Sequence, residues 1–379
     1  MHRAEYLLWL KHMGIASGGK LIEAIEYFSS PEEIYNADKE ALTECGMFNE
    51  KEIAYLEKKD MSFVAGEIER CNRERCYLVD YYSKFYPKAL REIPEPPLML
   101  YVKGSREALM KADMVTVAGS RSSDAYGVSV ATSIGSAFAS KGEVIVSGMA
   151  HGVDSSAAMG AINSGGTVIG VLCSGMDVDY PKGSEHLREK IISSGGALIT
   201  EFEMGTPAQS GYFHLRNRIM AGLSGLTVIV QAGEKSGALI TAKAAKAYSR
   251  RLAAVPNPID SAMSIGVNSL IADGAEVIYD IDKFADDYAD DKKSEVKEPE
   301  TKKEPPAVKA KPSGKKAVSE GNTESDNMME LISYLKDEPL TPSELSEKSG
   351  RSMKWVNSTL IILEVSGKVK LLPDGRYGL

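Results

Sequence analysis

Short apolar runs alternate with helix-like segments between residue 105 and about residue 281. Most of these runs are continuous, which is typical of parallel strands that are buried on both faces of a sheet. The pattern therefore predicts a doubly wound α/β fold built on a parallel sheet. The predicted strands are Met114–Ala118, Val144–Ser147, Thr167–Leu172, Leu198–Glu201, Leu226–Gln231 and Leu252–Val255.

The segments on either side of this region have other patterns. Residues 1–75 predict a small domain of short helices, of the SAM or helix-hairpin-helix kind, with helix-capping sequences such as Ser30-Pro31-Glu32-Glu33. The α/β domain then occupies residues 76–281. Residues 282–326 are rich in charged residues, Pro and Ser, and predict a disordered linker.

The last segment, residues 327–379, predicts a winged helix. Thr341-Pro342-Ser343-Glu344 begins one helix, and Met353–Leu363 is the candidate recognition helix. Residues 368–379 predict a short hairpin as the wing. Positive and negative side chains are balanced in this segment, so protein contact or weak DNA contact is as good an interpretation as sequence-specific DNA recognition.

Glycine-containing turns follow several of the predicted strands, and such turns meet at one edge of a parallel sheet. Their backbone N–H groups and the dipole of the following helix suit an anion. Arg121 adds a permanent planar cation that can bind phosphate in two places, although an ion pair at the turn is the alternative. At Ser147-Gly148 the alternative to a phosphate site is tight packing, with Asp154 as a helix cap.

Three more segments supply groups that suit a nucleic-acid strand. Tyr180 offers a ring on which a base can stack and Lys182 a charge that can neutralise a phosphate. Two guanidinium groups and an amide lie together at a predicted helix start in Arg216-Asn217-Arg218. The candidate DNA-binding residues are Gly119, Ser120, Arg121, Ser147, Gly148, Tyr180, Lys182, Arg216, Asn217, Arg218, Lys235, Ser236 and Gly237.

Composition and motifs exclude several classes of protein. The 379 residues carry a net charge of −8, so cations for a polyanion have to be placed locally. The four cysteines form no CxxC pair, which predicts reduced thiols, a cytoplasmic protein and no metal site. No segment predicts a signal peptide or a membrane span. The dinucleotide and triphosphate loop motifs are missing, no catalytic motif stands out, and His151 is better explained by packing.

Five motifs in order resemble the DNA-processing protein A family (DprA/Smf) of bacteria, over residues 77 to 281. Their order and spacing are far more specific than any one of them. They are Val117-Ala118-Gly119-Ser120-Arg121 with Tyr126-Gly127, Val146–Asp154, Gly166–Leu172 through Gly175-Met176-Asp177 to Tyr180-Pro181, Phe213 with Arg216–Ser224, and Ser236–Ala242.

This resemblance implies a Rossmann-like domain that binds single-stranded DNA and is not an enzyme, with no cofactor. It further implies protection of incoming strands in natural transformation, loading of the RecA recombinase, displacement of single-strand-binding protein, and a homodimer. Arg121 and Lys182 would hold phosphates, and Arg216, Arg218 and Lys235 would line the same pocket. The sequence departs from the family at Ala158, His214, Gln231 and Asn257, where the family usually has His, Pro, Glu and Gly.

Two other functions compete with this interpretation. The fold and glycine turns also resemble phosphoribohydrolases, nucleotide-binding enzymes that hydrolyse nucleoside monophosphates. Their PGGxGTxxE loop would correspond to residues 231–241, which lack the glutamate after Gly-Thr. A winged-helix transcription regulator with an α/β ligand sensor is the third interpretation, and it predicts tight binding to one duplex sequence.

Overall fold

The computed structural model of the chain describes residues 2–14, 18–111, 114–297, 331–336, 338–349, 368–372 and 376–379, together with 356, 359, 360 and 363. These residues form two compact units, Met1–Glu300 and Thr301–Leu379. The first unit contains the predicted α/β domain and is built on one large sheet.

Nine strands of the first unit form this sheet. They are β1 (Tyr77–Asp80), β2 (Met99–Gly104), β3 (Met114–Ala118), β4 (Val144–Ser147), β5 (Val168–Val171), β6 (Ala197–Thr200), β7 (Leu226–Ile229), β8 (Arg251–Ala254) and β9 (Glu276–Val277). All six predicted strands are present, and their ends differ from the prediction by at most two residues.

The described helices of the same unit lie before, between and after these strands. They are α1 (Arg3–His12), α2 (Gly18–Phe28), α3 (Pro31–Asn36), α4 (Lys39–Glu44), α5 (Glu50–Lys58), α6 (Ser62–Arg73), α7 (Lys88–Arg91), α8 (Ala125–Ser140), α9 (Val153–Asn163), α10 (Glu185–Ser193), α11 (Tyr212–Leu223), α12 (Ala238–Ala247), α13 (Ile265–Ala272) and α14 (Ile281–Lys297).

The strand order is β1-β2-β6-β5-β4-β3-β7-β8-β9, with β3 to β9 parallel and β2 antiparallel to both of its neighbours. From β3 the chain builds the sheet in one direction through β4, β5 and β6. It then returns to the other side of β3 with β7 and continues to β8 and β9. The fold is therefore doubly wound, and its topological switch point lies between β3 and β7.

Alternate residues of each central strand face different hydrophobic layers. In β3, Val115 and Val117 belong to the layer that holds α8 and α9, whereas Met114 and Ala118 belong to the layer that holds α11 and α12. This alternation explains why the strand is apolar throughout, since both faces are covered by helices. The prediction of a buried parallel sheet is confirmed.

Helices α8 and α9 pack closely because glycine allows their backbones to approach. A Cβ atom on Gly135 would collide with the carbonyl oxygen of Ala157, and one on Gly160 would collide with that of Thr132. The two helices start directly after the turns that follow β3 and β4. Their close packing therefore fixes the relative positions of those two turns.

The amino-terminal helices α1 to α6 share a hydrophobic cluster with the sheet. Trp9 and Leu56 lie in the same cluster as Met99 and Tyr101 of β2. The predicted caps are present: the Ser30 hydroxyl accepts a hydrogen bond from the Glu33 N–H, and Asn49 and Glu52 form a capping box. These helices thus pack against the sheet as part of the first unit.

The predicted linker is wrong over residues 282–297, which belong to α14. Tyr288 is 2% exposed, and its ring centroid lies 5.7 Å from that of Phe138 on α8. Lys292 forms an ion pair with Glu143 at 2.9 Å. The acidic composition hid an amphipathic helix, because Phe284, Ala285 and Tyr288 lie on one face and pack into the core that contains Phe138 of α8. Residues 298–326 lie outside the described residues.

The second unit contains α15 (Pro342–Ser349) and the strands β10 (Lys370–Leu371) and β11 (Tyr377–Gly378). The two strands pair in the antiparallel direction, as the predicted hairpin requires. Its small core contains Leu331, Leu335, Leu345 and Leu363. Most of the candidate recognition helix and the turn at 373–375 lie outside the described residues, so the winged helix stays a prediction.

No helix in the described part of the chain is both long and apolar enough to cross a membrane.

Candidate functional site

A cavity of about 370 Å³ opens at the carboxyl ends of β3 and β7, the topological switch point of the sheet. Open α/β sheets bind their ligands at this place, because the turns on both sides diverge there and leave a crevice. The lining comes from four separate segments of the chain. They lie after β3 (residues 118–122), after β4 (150 and 154), on α11 (213, 216, 217 and 220), and after β7 (233, 235–238, 240 and 241), and Met263 adds one residue from the loop after β8.

Arg121 and Phe213 of the cavity lining form a row with Tyr180, which contacts Phe213 from outside the described lining. The Arg121 guanidinium carbon lies 4.2 Å from the centroid of the Phe213 ring, a cation–π contact. The Tyr180 ring centroid lies 5.9 Å from that of Phe213, with the planes tilted by 60°. Arg121 is exposed and has no carboxylate partner among the described residues. Its charge therefore faces solvent at the cavity mouth.

Arg216 also lines the cavity, but it is only 4% exposed. Its Nη1 donates hydrogen bonds to the carbonyl oxygens of Gly148 and Val171, the latter at 3.2 Å. Burial lowers the pKa of Arg216, and the nearby carboxylate of Asp154 opposes that change. Arg216 thus places a positive charge in the wall of the cavity while it links the turn after β4 to the end of β5.

Asp154 is the one carboxylate among the described lining residues, and it is 4% exposed. Burial raises its pKa, whereas Arg216 and the N–H groups of Ala150 and Gly119 lower it. The carboxylate is therefore occupied by protein groups within the turn. An acid held in this way is poorly placed to act on a substrate bond, which requires a proton donor or acceptor within hydrogen-bond reach of the substrate.

Ser147 and Gly148 are placed for packing. The Ser147 hydroxyl is fully buried and donates to the carbonyl oxygen of Asp154 at 2.9 Å. A side chain at Gly148 would collide with Arg216 and Asp154. Neither residue is among those that line the cavity. The packing interpretation of this turn, which leaves room for the Arg216 side chain, is therefore supported. The two interpretations can both hold, so phosphate binding by the turn stays a prediction.

Arg218 is brought to a different place from Arg216. Helix α11 begins at Tyr212, so these residues lie in its second turn and do not open the helix as the sequence predicted. Side chains two positions apart point to different faces of a helix. Arg218 accordingly forms an ion pair with Glu201 at 2.5 Å, with 12% of its side chain exposed. The expectation that Arg218 lines the pocket is wrong.

The turn after β7 supplies the other side of the cavity. Lys235, Ser236 and Gly237 all line it, and Lys235 is exposed. The Asn217 amide nitrogen donates to the carbonyl oxygen of Gly237 at 3.1 Å. This bond ties α11 to the start of α12. Gly119 and Ser120 also line the cavity, and the Ser120 N–H donates to the Gln231 carbonyl oxygen at 2.7 Å.

Lys182 lies two residues beyond Tyr180 and is exposed. It is not among the described residues that line the cavity. The structure thus places Arg121, Arg216 and Lys235 in one cavity and leaves Tyr180 and Lys182 outside its described lining.

Two of the four departures from the family pattern contact one another below the site. The Gln231 amide donates to the Asn257 side-chain oxygen at 3.2 Å, and the Asn257 amide donates to the Val230 carbonyl oxygen at 2.8 Å. Both residues are buried. Ala158 is buried within α9, and His214 is exposed on α11. The Gln231–Asn257 pair supports the turn that contains Ser120, so these departures are accommodated without a collision.

Phe213 and Asp154 lie within the sequence motifs, but neither is among the DNA-binding residues that the sequence predicts. The signal for Phe213 was available, since an aromatic residue next to a cluster of basic residues is typical of nucleic-acid sites. Met263 was missed entirely. It lines the cavity from a loop after β8, and the Ser120 hydroxyl lies 3.4 Å from its sulfur. No local pattern marks a residue that reaches the site from so far along the chain.

The fold and the site together define a doubly wound α/β protein with a cationic cavity at its switch point. A family model described as DNA recombination-mediator protein A matches residues 77–289, more than half of the chain. The chain belongs to this family, whose members include the DprA and Smf proteins. The family predicted from the sequence motifs is confirmed.

Individual relatives agree with this assignment. The Smf protein of Synechocystis sp. is 38% identical over 196 residues, which are 51% of this chain and 49% of that protein. The chain thus matches about half the length of that relative. The X-ray structure of DNA processing protein A from Streptococcus pneumoniae is 27% identical, with a TM-score of 0.63 over 73% of this chain and 95% of that chain.

A second solved structure adds information about a ligand. The DNA processing protein A of Helicobacter pylori is 28% identical, with a TM-score of 0.52 over 57% of this chain and 97% of that chain. That structure was determined to explain how the Helicobacter protein binds single-stranded DNA. The Rossmann-like fold predicted for residues 76–281 is confirmed by both structures.

Proposed function

We propose that this protein binds single-stranded DNA at the switch-point cavity, with little preference for sequence. The observation that carries the proposal is the row in which Arg121 and Phe213 of the cavity lining continue to Tyr180 beside it. Rings stack on any base, and cations neutralise phosphates without reading bases. Arg216 and Lys235 add positive charge behind the row. A duplex hides the base faces inside its stack, so the rings favour a single strand.

A titration at several salt concentrations tests this proposal. We expect an oligonucleotide to bind more tightly as a single strand than as a duplex. The logarithm of the affinity for the single strand should fall with the logarithm of salt concentration, by about 0.7 for each phosphate contacted. Equal or tighter duplex binding, or an affinity that does not depend on salt, contradicts the proposal.

We further propose that the protein protects incoming single strands in the cytoplasm and loads the RecA recombinase on them during natural transformation. The membership in a family described as recombination mediators supports this role. The test is assembly of recombinase filaments on DNA covered by single-strand-binding protein. We expect the protein to shorten the lag of assembly. If the lag is unchanged when the protein saturates the DNA, the role in recombinase loading is contradicted. That result does not contradict the proposal that the protein binds single strands.

We also propose a homodimer formed at the β9 edge of the sheet. Strand β9 pairs with β8, and its outer edge has no strand partner among the described residues. Val277 and Tyr279 at this edge are 37% and 77% exposed. Ile259 and Ile265 nearby are 94% and 52% exposed. An open edge with exposed apolar side chains is the usual place for pairing with a second copy.

Sedimentation of the wild type and of Tyr279→Asp tests this dimer. We expect a dimer for the wild type and a monomer for the variant, because a carboxylate cannot be buried unpaired in an apolar contact. A wild-type monomer at micromolar concentration, or a variant that stays dimeric, contradicts this interface.

We propose that the protein is not an enzyme. The buried state of Asp154, the one carboxylate of the described lining, supports binding over hydrolysis. A base-release assay on nucleoside monophosphates distinguishes the phosphoribohydrolase alternative. We expect no release above the uncatalysed rate, and release that disappears in Asp154→Asn would establish the enzyme instead.

A further inference from the structure

The loop over residues 201–206, which we name the β6–α11 loop, is held by α6. Glu67 of α6 is fully buried, and its Oε1 accepts a hydrogen bond from the Met204 N–H at 2.8 Å. Arg70, one turn further along, donates from Nη1 to the Met204 carbonyl oxygen at 3.3 Å. Both backbone polar groups of Met204 are therefore bonded to one helix of the amino-terminal layer.

Helix α1 holds the same loop through Glu203. The Glu203 carboxylate lies 3.1 Å from His12 Nδ1 and 3.6 Å from Lys11 Nζ. The His12 ring stacks on Phe63 of α6 with 3.5 Å between centroids. The amino-terminal helices thus contact three polar groups of the loop, which are the Glu203 carboxylate, the Met204 N–H and the Met204 carbonyl.

On its other side the β6–α11 loop contacts α11 twice. The Phe202 ring stacks on Tyr212, with 4.4 Å between centroids and 28° between planes. Glu201 forms the ion pair with Arg218 at 2.5 Å. Tyr212 and Arg218 flank Phe213 and Arg216, the two residues of α11 that line the cavity with a ring and a charge.

We propose that the amino-terminal helices position α11 for DNA, with Glu67 as the main positioning residue and the β6–α11 loop as the link. The inference rests on the proposed function, since affinity for a single strand is its first measurement. The amino-terminal helices contribute no residue to the described cavity lining. They act on it through two layers of contact, first from Glu67 and Arg70 to Met204 and then from Phe202 and Glu201 to α11.

A double-mutant cycle on the full chain tests the link. Glu67→Ala removes the hydrogen bond from the Met204 N–H to α6 and leaves the Arg70 bond as the other α6 contact to Met204. Phe202→Leu keeps an apolar side chain but removes the ring that stacks on α11. We expect each variant to weaken single-strand affinity at least fivefold. The double variant should be no weaker than the weaker single variant, because the two contacts act in series.

Glu52→Gln is the matched control. It breaks the ion pair with Lys20 at 2.9 Å within the amino-terminal helices and leaves the loop untouched. We expect its affinity to stay within twofold of the wild type. Losses that multiply in the double variant, or a folded Glu67→Ala protein with wild-type affinity, overturn the inference. If Glu67→Ala does not fold, Arg70→Ala replaces it. That variant removes a side chain that is 36% exposed and that also bonds the loop.

Hydrogen exchange without DNA provides a second measurement. We expect Glu67→Ala to speed amide exchange at least tenfold over the loop and over the first turn of α11, with no change in α12. Unchanged exchange in the first turn of α11 overturns the inference. If exchange responds as expected but the wild type binds no single-stranded DNA, the proposed function fails while the positioning role is supported.

Discussion

The two arginines of the cavity, Arg121 and Arg216, differ in what surrounds them. Arg121 is exposed, and its guanidinium rests on the face of Phe213. Arg216 is 4% exposed and is bonded to the backbone carbonyls of Gly148 and Val171. The first is free to bind a phosphate and the second is committed to the protein. Substitution of Arg121 should therefore weaken DNA binding and leave the fold intact, whereas substitution of Arg216 should destabilise the fold.

Arg121→Ala should weaken single-strand binding and leave the fold intact. Loss of a hydrogen bond to a charged group costs about 1.5–3 kcal/mol, or roughly tenfold to a hundredfold in affinity. The free energy of unfolding should change by less than about 1 kcal/mol, the size of a cation–π contact at an exposed site. Fluorescence anisotropy and urea unfolding measure the two effects.

The control for that substitution is Arg73→Ala, which removes an exposed arginine at the end of α6. It lowers the net charge by the same amount, so it should reproduce any effect of charge alone. If Arg121→Ala and Arg73→Ala weaken binding equally, Arg121 makes no specific contact with the strand.

Arg216→Ala should destabilise the protein by about 3–5 kcal/mol, because it removes the main positive charge that acts on the buried carboxylate of Asp154. Urea unfolding of the variant measures the loss. The double variant Arg216→Met with Asp154→Asn should recover part of it, since it removes both charges together. If Arg216→Ala is as stable as the wild type, Arg216 contributes to ligand binding and not to the stability of the fold.

At the scale of single residues, the expectation that Arg121, Arg216 and Lys235 share one cavity agrees with the structure, whereas the same expectation for Arg218 is wrong. The motif alone treats Arg216 and Arg218 as equivalent. Their different faces depend on where α11 begins, and the sequence placed that start four residues too late. Whether a turn such as Ser147-Gly148 binds an anion depends on its neighbours, and here Arg216 arrives from a helix 68 residues away.

Helix α14 is the element that most changes the expected organisation of the chain. Its buried Tyr288 packs on Phe138 of α8. Tyr288→Ala should lower the free energy of unfolding by about 3 kcal/mol or more, the usual cost of removing a buried aromatic ring. Tyr27→Ala, at a side chain that is 60% exposed, serves as the control. Equal thermal midpoints for the two variants would show that α14 adds little to the core.

Strands were predicted more accurately than this helix for a physical reason. A strand buried on both faces requires an apolar residue at nearly every position, so β3 and β4 could be located to the residue. Helix α14 requires apolar residues only on one stripe, and most of its other residues are acidic or basic. The composition of a segment is an average over all faces of a helix. It therefore predicted disorder for α14, which packs on the core through only one of its faces.

For the whole molecule, the division after Glu300 predicts where DNA binding resides. A chain that ends at Glu300 should keep most of its single-strand affinity, because every described lining residue lies between Ala118 and Met263. Full-length and shortened proteins should be compared on one oligonucleotide at two salt concentrations. A loss of more than tenfold at both, about 1.4 kcal/mol, would place the main DNA site in the second unit.

The order in which the lining residues occur along the chain has a consequence for biosynthesis. The cavity needs Arg121 from the turn after β3 and Met263 from the loop after β8, and the long separation between them makes its assembly a late event of folding. The complete cavity can therefore form only after the chain has been synthesised through Met263. A nascent chain that ends before Met263 lacks part of the lining and cannot present the complete site to a strand.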